Sequence, residues 1–159
     1  MTDITVPEVP EALDTHVYIT RAFNAPRDVV WKFFTEPEFL VKWFGPHAVH
    51  IDPATVEVDL RVGGNWDLDM VDNASGQHFP MRARLTAVIP PEYLEGRAEA
   101  DTQEGPVVDV SLRIWLHDHG DKTRMTLVQG PFSDEFRDMT TAGWNESFVK
   151  MDTLLEAGV

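Results

Sequence analysis

Residues 23–46 of the 159-residue chain read FNAPRDVVWKFFTEPEFLVKWFGP. Pro37 divides this stretch, because a proline ends one helix and can begin the next. Apolar residues recur at helical spacing on both sides of it, namely Val29, Val30, Phe33 and Phe34 before the proline and Phe39, Leu40, Trp43 and Phe44 after it. Gly45-Pro46 then stops the second segment. The stretch therefore predicts two short helices in succession.

The segments around this helix pair alternate apolar and polar residues, as half-buried strands do. One such strand precedes the pair at residues 15–23, and six follow between residues 56 and 130. In the sixth strand overall, Val108, Val110, Leu112 and Ile114 are expected on one face. Hairpin-sized connections favour antiparallel pairing of sequential strands. The prediction is an antiparallel sheet of about seven strands, arranged as a meander.

The C-terminal segment predicts one long helix from Ser133 to about Ala157. Ser133 is a suitable N-cap, and acidic residues fill the first turn. Apolar and small residues form a stripe along this helix, at Phe136, Thr140, Gly143, Trp144, Ser147, Met151 and Leu154. Gly143 costs about 1 kcal/mol of helix propensity relative to alanine. We expect a close approach of the helix to the sheet to compensate for that cost.

Composition limits the classes of function. The formal net charge is −14 and cysteine is absent. An acidic chain repels nucleic-acid phosphates and anionic lipid, and a chain without cysteine forms neither disulfides nor thiolate metal sites. No segment approaches the roughly 18 consecutive apolar residues of a membrane span. We therefore expect neither a nucleic acid nor a membrane as a partner.

The N-terminus has a composition of its own. Residues 1–14 contain Pro7 and Pro10 among acidic and small residues, with no strand or helix pattern. We expect a disordered acidic tail at residues 1–14 and a single domain at residues 15–159. The tail has neither the basic start nor the apolar run of a signal peptide, so the expected location is the cytoplasm.

A search for reactive groups finds no complete constellation. Two histidine pairs, His47 with His50 and His117 with His119, lack the further ligands that a zinc site needs. The chain has no nucleophile-elbow, dinucleotide-binding or phosphate-loop motif. Four carboxylates alternate along predicted strands and are expected on the exposed face, at Glu57, Asp59, Asp67 and Asp69. We predict no catalytic residue, no metal and no cofactor.

Four stretches resemble, in the same order, the homologues of the activator of the heat-shock protein 90 ATPase, within the START-like (SRPBCC, birch-pollen-allergen-like) superfamily. They are residues 23–46 quoted above, VDLRVGGNWDLDM at 58–70, IPPEYLEGR at 89–97 and GWNESFVKMDTLL at 143–155. The resemblance implies the α+β helix-grip fold. In this fold a curved antiparallel sheet grips the long C-terminal helix around an internal cavity.

The resemblance also implies a function, namely binding of a small hydrophobic or aromatic ligand in that cavity. Such a lining should be mostly apolar with a few polar groups. The inward alternation of the strands and the helix stripe place these residues on it: Trp66, Leu68, Met70, Phe79, Met81, Leu112, Ile114, Phe136, Thr140, Trp144 and Met151. The same residues would form a closed core if no cavity were present.

Two other functions stay open at this point. START-like relatives include polyketide-cyclase-like enzymes, and Tyr18, Tyr93, Thr140 or a loop histidine are the groups available for acid–base chemistry. A co-chaperone role is the third alternative, but a chaperone partner is not expected, because the chain lacks the additional N-terminal domain of the eukaryotic activator. The sequence leaves a homodimer open as well.

Overall fold

The computed structural model describes residues 5–102 and 105–158. Within this part of the chain, eight strands and three α-helices follow one another as β1 (Val17–Phe23), α1 (Arg27–Thr35), α2 (Pro37–Trp43), β2 (Val49–Ile51), β3 (Glu57–Val58), β4 (Asn65–Asp72), β5 (His78–Ile89), β6 (Tyr93–Thr102), β7 (Gly105–His119), β8 (Lys122–Gly130) and α3 (Asp134–Glu156). A short 3-10 turn at Pro53–Thr55 precedes β3. No helix in the described ranges is long and apolar enough to cross a bilayer.

All strands join one curled antiparallel sheet in the order β1-β8-β7-β6-β5-β4-β2, and β3 pairs with β4. The seven predicted strands are present, and β2 is an addition that the sequence did not reveal. Strands β4 to β8 form the predicted meander, but the prediction is wrong for β1. This strand pairs with β8, from Val17 opposite Gln129 to Phe23 opposite Thr123. The reason is that α1 and α2 carry the chain from one edge of the sheet to the other.

The inner face of the sheet is the one that packs against the helices, and aromatic rings fill much of it. Phe148 of α3 stacks on Trp43 and on Trp144, with ring centroids 5.9 and 5.6 Å apart. The indole N–H of Trp43 donates to the Phe33 carbonyl at 2.8 Å, and that of Trp66 donates to the Phe34 carbonyl at 2.9 Å. These bonds satisfy both indole N–H donors, so the two rings are buried without an unpaired polar group. The first bond joins α2 to α1, and the second joins α1 to β4 of the sheet.

Helix α3 confirms the sequence prediction. Ser133 is its N-cap, and the Ser133 hydroxyl oxygen accepts from the Phe136 N–H at 3.3 Å. The helix buries Trp144, Ser147, Phe148 and Met151 against the inner face. An ion pair of 2.6 Å between Arg21 of β1 and Asp152 joins the C-terminal half of the helix to the edge of the sheet. One long element thus spans the whole inner face.

Residues 5–14, called the strap below, have no regular secondary structure and contact the outer face of the sheet. The Pro7 carbonyl accepts from the Trp115 indole N–H at 2.8 Å, and the Pro10 carbonyl accepts from the Tyr18 hydroxyl at 3.1 Å. Val6 and Val9 of the strap pack on a small outer-face core of Tyr93, Trp115 and Val128. The apolar residues between the acids therefore hold the strap on the outer face. Residues 1–4 lie outside the described ranges.

Candidate functional site

A cavity of about 300 Å³ lies between the inner face of the sheet and α3. Its walls are β4 to β8 on one side, the first half of α3 on the other, and the loop after α2 at one end. Most of the side chains on these walls are apolar, as in pockets that take small organic molecules. The cavity is the place where a ligand of the predicted class would fit.

Small residues make room for the cavity on the sheet side. Ala98 and Ala100 of β6 lie in the middle of the wall, beside Met81 of β5 and Val110 of β7. Alternate positions of a strand point to the same face, so two alanines in succession leave a shallow depression there. These alanines are not predictable as site residues, since an alanine on a strand carries no functional signal of its own.

A β-bulge in β7 brings two further residues into the cavity. The pairing with β6 shifts between Ala98 and Ala100, and Asp109 has a φ of 55° at this point. Because the bulge inserts an extra residue, Val107 and Val110 both line the cavity although they are three positions apart. Val108 is 68% exposed, contrary to the predicted alternation. No residue type at this point indicates a bulge, so strict alternation misplaced Val108.

Gly143 makes room on the helix side. A Cβ atom at Gly143 would have no neighbouring atom within 4 Å outside its own turn of helix, and Gly143 lines the cavity. The expected close approach of α3 to the sheet is therefore wrong at this residue. Instead, open space separates this part of the helix from the depression at Ala98 and Ala100 of the sheet. Gly143 therefore enlarges the cavity, and closer packing does not compensate for its cost in helix propensity.

The third wall is the loop from Phe44 to Val49. Gly45 has a φ of 92°, and a Cβ there would lie 2.7 Å from Val49 Cγ2, so only glycine fits without strain. Two bonds tie the loop to α3: the His47 backbone N–H donates to Glu146 at 3.0 Å, and Lys150 Nζ donates to the Pro46 carbonyl at 3.3 Å. Burial lowers the pKa of Lys150, and Glu146 opposes that effect. The loop and the helix hold one end of the cavity together.

Few polar groups reach the cavity. Gln129 of β8 is 7% exposed, and its side-chain Oε1 accepts from the Trp144 indole N–H at 2.8 Å. Ser147 lines the wall as well, but its hydroxyl donates to the Gly143 carbonyl at 2.9 Å. Glu99 and Asp101 lie at the exposed rim. Among the described lining residues there is no lysine, arginine or histidine.

The residues predicted from the sequence fall into three groups. Six line the cavity: Met70, Phe79, Met81, Phe136, Thr140 and Trp144. Trp66, Leu112 and Ile114 surround a separate void of about 20 Å³, which holds one water molecule at most. Leu68 and Met151 are fully buried in the core and border neither space. Helical and strand periodicity thus found the right faces, but it did not show where along them packing opens.

The outer face carries a wider groove of about 700 Å³, but its lining is charged and paired. Arg97 binds the Asp109 carboxylate at 2.9 Å, and Arg82 binds the Asp69 carboxylate at 2.9 Å. Contrary to the sequence prediction, Asp69 is buried, being 8% exposed. Burial by itself would raise the pKa of Asp69, but His78 and Arg82 outweigh burial and hold that pKa below its ordinary value. These pairs occupy two of the three arginines that line the groove, Arg82 and Arg97.

Of the candidate acid–base groups, Thr140 lines the cavity, whereas the two tyrosines and His50 lie away from it. Tyr93 belongs to the outer-face core, where its hydroxyl donates to the Glu95 carboxylate and accepts from Arg113 Nε at 2.8 Å. Tyr18 contacts the strap on the same face. His50 is exposed and bonded to Asn73 at 2.6 Å. In residues 5–102 and 105–158, no three His, Asp or Glu side chains converge as metal ligands would.

Comparison with known proteins agrees with this architecture. The family model described as Activator of Hsp90 ATPase homolog 1-like protein matches residues 24–156. The chain belongs to this family. No curated protein sequence matches it significantly.

Several solved structures share the fold. A protein of this family from Silicibacter pomeroyi superposes with a TM-score of 0.78 at 20% identity, covering 91% of this chain and 99% of that one. A Mycobacterium smegmatis protein gives 0.76 at 25% identity, with 98% and 100% coverage. A Chromobacterium violaceum protein gives 0.76 at 24%, with 87% and 96% coverage. The helix-grip fold predicted from the sequence is confirmed.

Proposed function

We propose that this chain binds a small hydrophobic or aromatic molecule in the cavity between the sheet and α3. The observation that carries the proposal is the cavity itself, with its volume of about 300 Å³ and its mostly apolar walls. That volume lies at the lower end of the range for ligand pockets, roughly 300–1,000 Å³. Membership of a START-like family supports a ligand-binding domain in general.

The walls support an open cavity more than a loosely packed core. Protein interiors are close-packed, and filling this space would need only larger residues at Ala98, Ala100 or Gly143. Gly143 is the clearest case, because alanine there would improve helix propensity by about 1 kcal/mol and would meet no atom. Small residues thus lie on facing walls although larger residues would make the protein more stable. This favours a cavity that has a function.

Binding fits the site better than catalysis does. Acid–base chemistry needs a titratable pair positioned against the substrate. The acidic residues of the lining, Glu99 and Asp101, are at the rim, whereas Tyr18 and Tyr93 lie on the opposite face of the sheet. A chaperone partner is not part of the proposal, because the family description alone does not identify the partner of this chain.

A thermal-shift screen with a cavity-filling variant tests the proposal. A panel of neutral aromatic and lipid-like molecules is added to the wild type, to Gly143→Phe and to Ala142→Phe. Gly143→Phe places a ring inside the cavity, whereas Ala142→Phe places it on the exposed face of the same turn. A binder at 100 times its Kd stabilises the native state by about 2.7 kcal/mol.

We expect at least one compound to raise the Tm of the wild type and of Ala142→Phe but not that of Gly143→Phe. A panel that leaves the wild type unchanged, or that shifts all three proteins equally, would contradict binding in this cavity.

A further inference from the structure

The cavity contains one polar side chain whose orientation is fixed by its neighbour. Gln129 Oε1 accepts from the Trp144 indole N–H at 2.8 Å. An indole N–H can only donate, so it must face the amide oxygen and not the amide nitrogen. The Gln129 Nε2 group, with its two N–H donors, therefore points away from Trp144.

This amide nitrogen has no partner within the described part of the chain, although Gln129 is 93% buried, as its 7% exposure implies. Gln129 Nε2 is not one of the side-chain atoms that lack both a partner and any accessible surface. This nitrogen therefore borders open space. The open space that Gln129 borders is the cavity. A buried amide donor without an acceptor costs free energy until something in the cavity accepts its hydrogen bond.

The surrounding charges limit what that acceptor can be. The described lining has no cationic side chain, and Glu99 and Asp101 stand at the rim. The whole chain carries a net charge of −14. A ligand carboxylate, phosphate or sulfate would thus be desolvated in a cavity that offers no counter-charge. A neutral oxygen avoids that cost and still satisfies Gln129.

We infer that Gln129 is the specificity-determining donor of the site and that it selects neutral, apolar molecules carrying a carbonyl oxygen, such as aromatic ketones, esters or quinones. The inference rests on the proposed function and adds the ligand's chemical class and orientation. The carbonyl oxygen points to β8, and the apolar body lies between Ala98 and Ala100 on the sheet and Gly143 on α3. Trp144 is a positioning residue, since it holds the amide in this orientation.

Three naphthalene derivatives of similar size test this inference by calorimetric titration: acetylnaphthalene, isopropylnaphthalene and naphthoate. They differ in having a neutral acceptor, no acceptor and an anionic acceptor. We expect the wild type to bind the ketone roughly three- to tenfold more tightly than the hydrocarbon, as one hydrogen bond provides. Naphthoate should bind more weakly than the ketone.

Two variants locate the effect. Gln129→Met keeps the length of the side chain but removes the donor, and should bind ketone and hydrocarbon equally. Trp144→Phe keeps a ring but releases the amide, so the preference for the ketone should shrink while the hydrocarbon still binds. The comparison of probes on the wild type needs no variant, so it stands even if a variant does not fold.

The outcomes separate the two claims. If the wild type binds ketone and hydrocarbon with equal affinity, the role of Gln129 is overturned and the proposed function stands. If naphthoate binds most tightly, the neutral-ligand class is overturned. If none of the three probes binds at a concentration near its solubility limit, the proposed function fails and this inference fails with it.

Discussion

Tyr93 shows at the residue scale how burial and hydrogen bonding change an ionisable group. Its side chain is fully buried on the outer face, bonded to Glu95 and to Arg113. Burial first, and then the neighbouring Glu95 carboxylate, raise the pKa of Tyr93 well above its ordinary value, while Arg113 opposes them. The folded protein therefore favours the neutral phenol. This contribution to stability is complete below about pH 10, the pKa of an unfolded tyrosine, and is lost as the pH rises further.

The prediction can be checked because the chain has only two tyrosines. In Tyr18→Phe, phenolate absorbance reports Tyr93 alone. We expect the folded variant to ionise well above pH 10, and the same variant in urea to ionise near about pH 10. Ionisation of the folded variant near pH 10 would mean that the hydroxyl is exposed and free of Glu95.

Single residues also set the limits of sequence-based prediction. The capping role of Ser133 follows directly from its type and position, and the structure confirms it. The burial of Asp69 does not follow, because its partner Arg82 comes from the next strand and only the sheet register brings the two together. Local chemistry is visible in the sequence, whereas long-range pairing of charges is not.

At the scale of elements, α3 combines strong helix signals with one residue that opposes them. Gly143 lies inside the helix, and a Cβ added there meets no atom within 4 Å. We expect Gly143→Ala to raise the free energy of unfolding by about 1 kcal/mol, because alanine is the better helix former and no clash offsets the gain. Urea denaturation measures the change. A loss of stability would show that α3 lies closer to the sheet than the structure places it.

The strands show why periodicity predicts faces better than it predicts cavities. The alternation in β4 and β5 correctly placed Met70, Phe79 and Met81 on the inner face. It failed at the Asp109 bulge, which sends Val107 and Val110 inward and leaves Val108 exposed. A single inserted residue changes which face of the sheet the preceding residues of the strand lie on. No residue type in the sequence indicates such an insertion. The open part of the inner face therefore required the structure.

At the scale of the whole molecule, the sheet is covered on both faces. Helices cover the inner face, and the strap covers an outer-face core of Tyr93, Trp115 and Val128. Polar, proline-rich sequence predicts disorder when few apolar residues are available. In this chain Val6 and Val9 contact an aromatic surface on the outer face.

Deletion of residues 1–10 tests this contact. We expect the free energy of unfolding to fall by about 1–3 kcal/mol, because the deletion uncovers apolar surface and removes the acceptor of the Trp115 indole N–H. Glu8→Ala, at an exposed position of the strap, is the control and should change little. If the deletion left stability unchanged in urea denaturation, the strap would be the disordered tail that its composition suggests.

The space between the sheet and α3 is proposed to be a binding site. Native mass spectrometry of the protein purified from its own cells without denaturation tests it most directly, with solvent extraction of whatever is bound. We expect a small, neutral, apolar molecule to be retained by the wild type and lost from Gly143→Phe. A wild type that is empty on purification, and that shows no mass shift with any member of an aromatic and lipid panel, would contradict the claim.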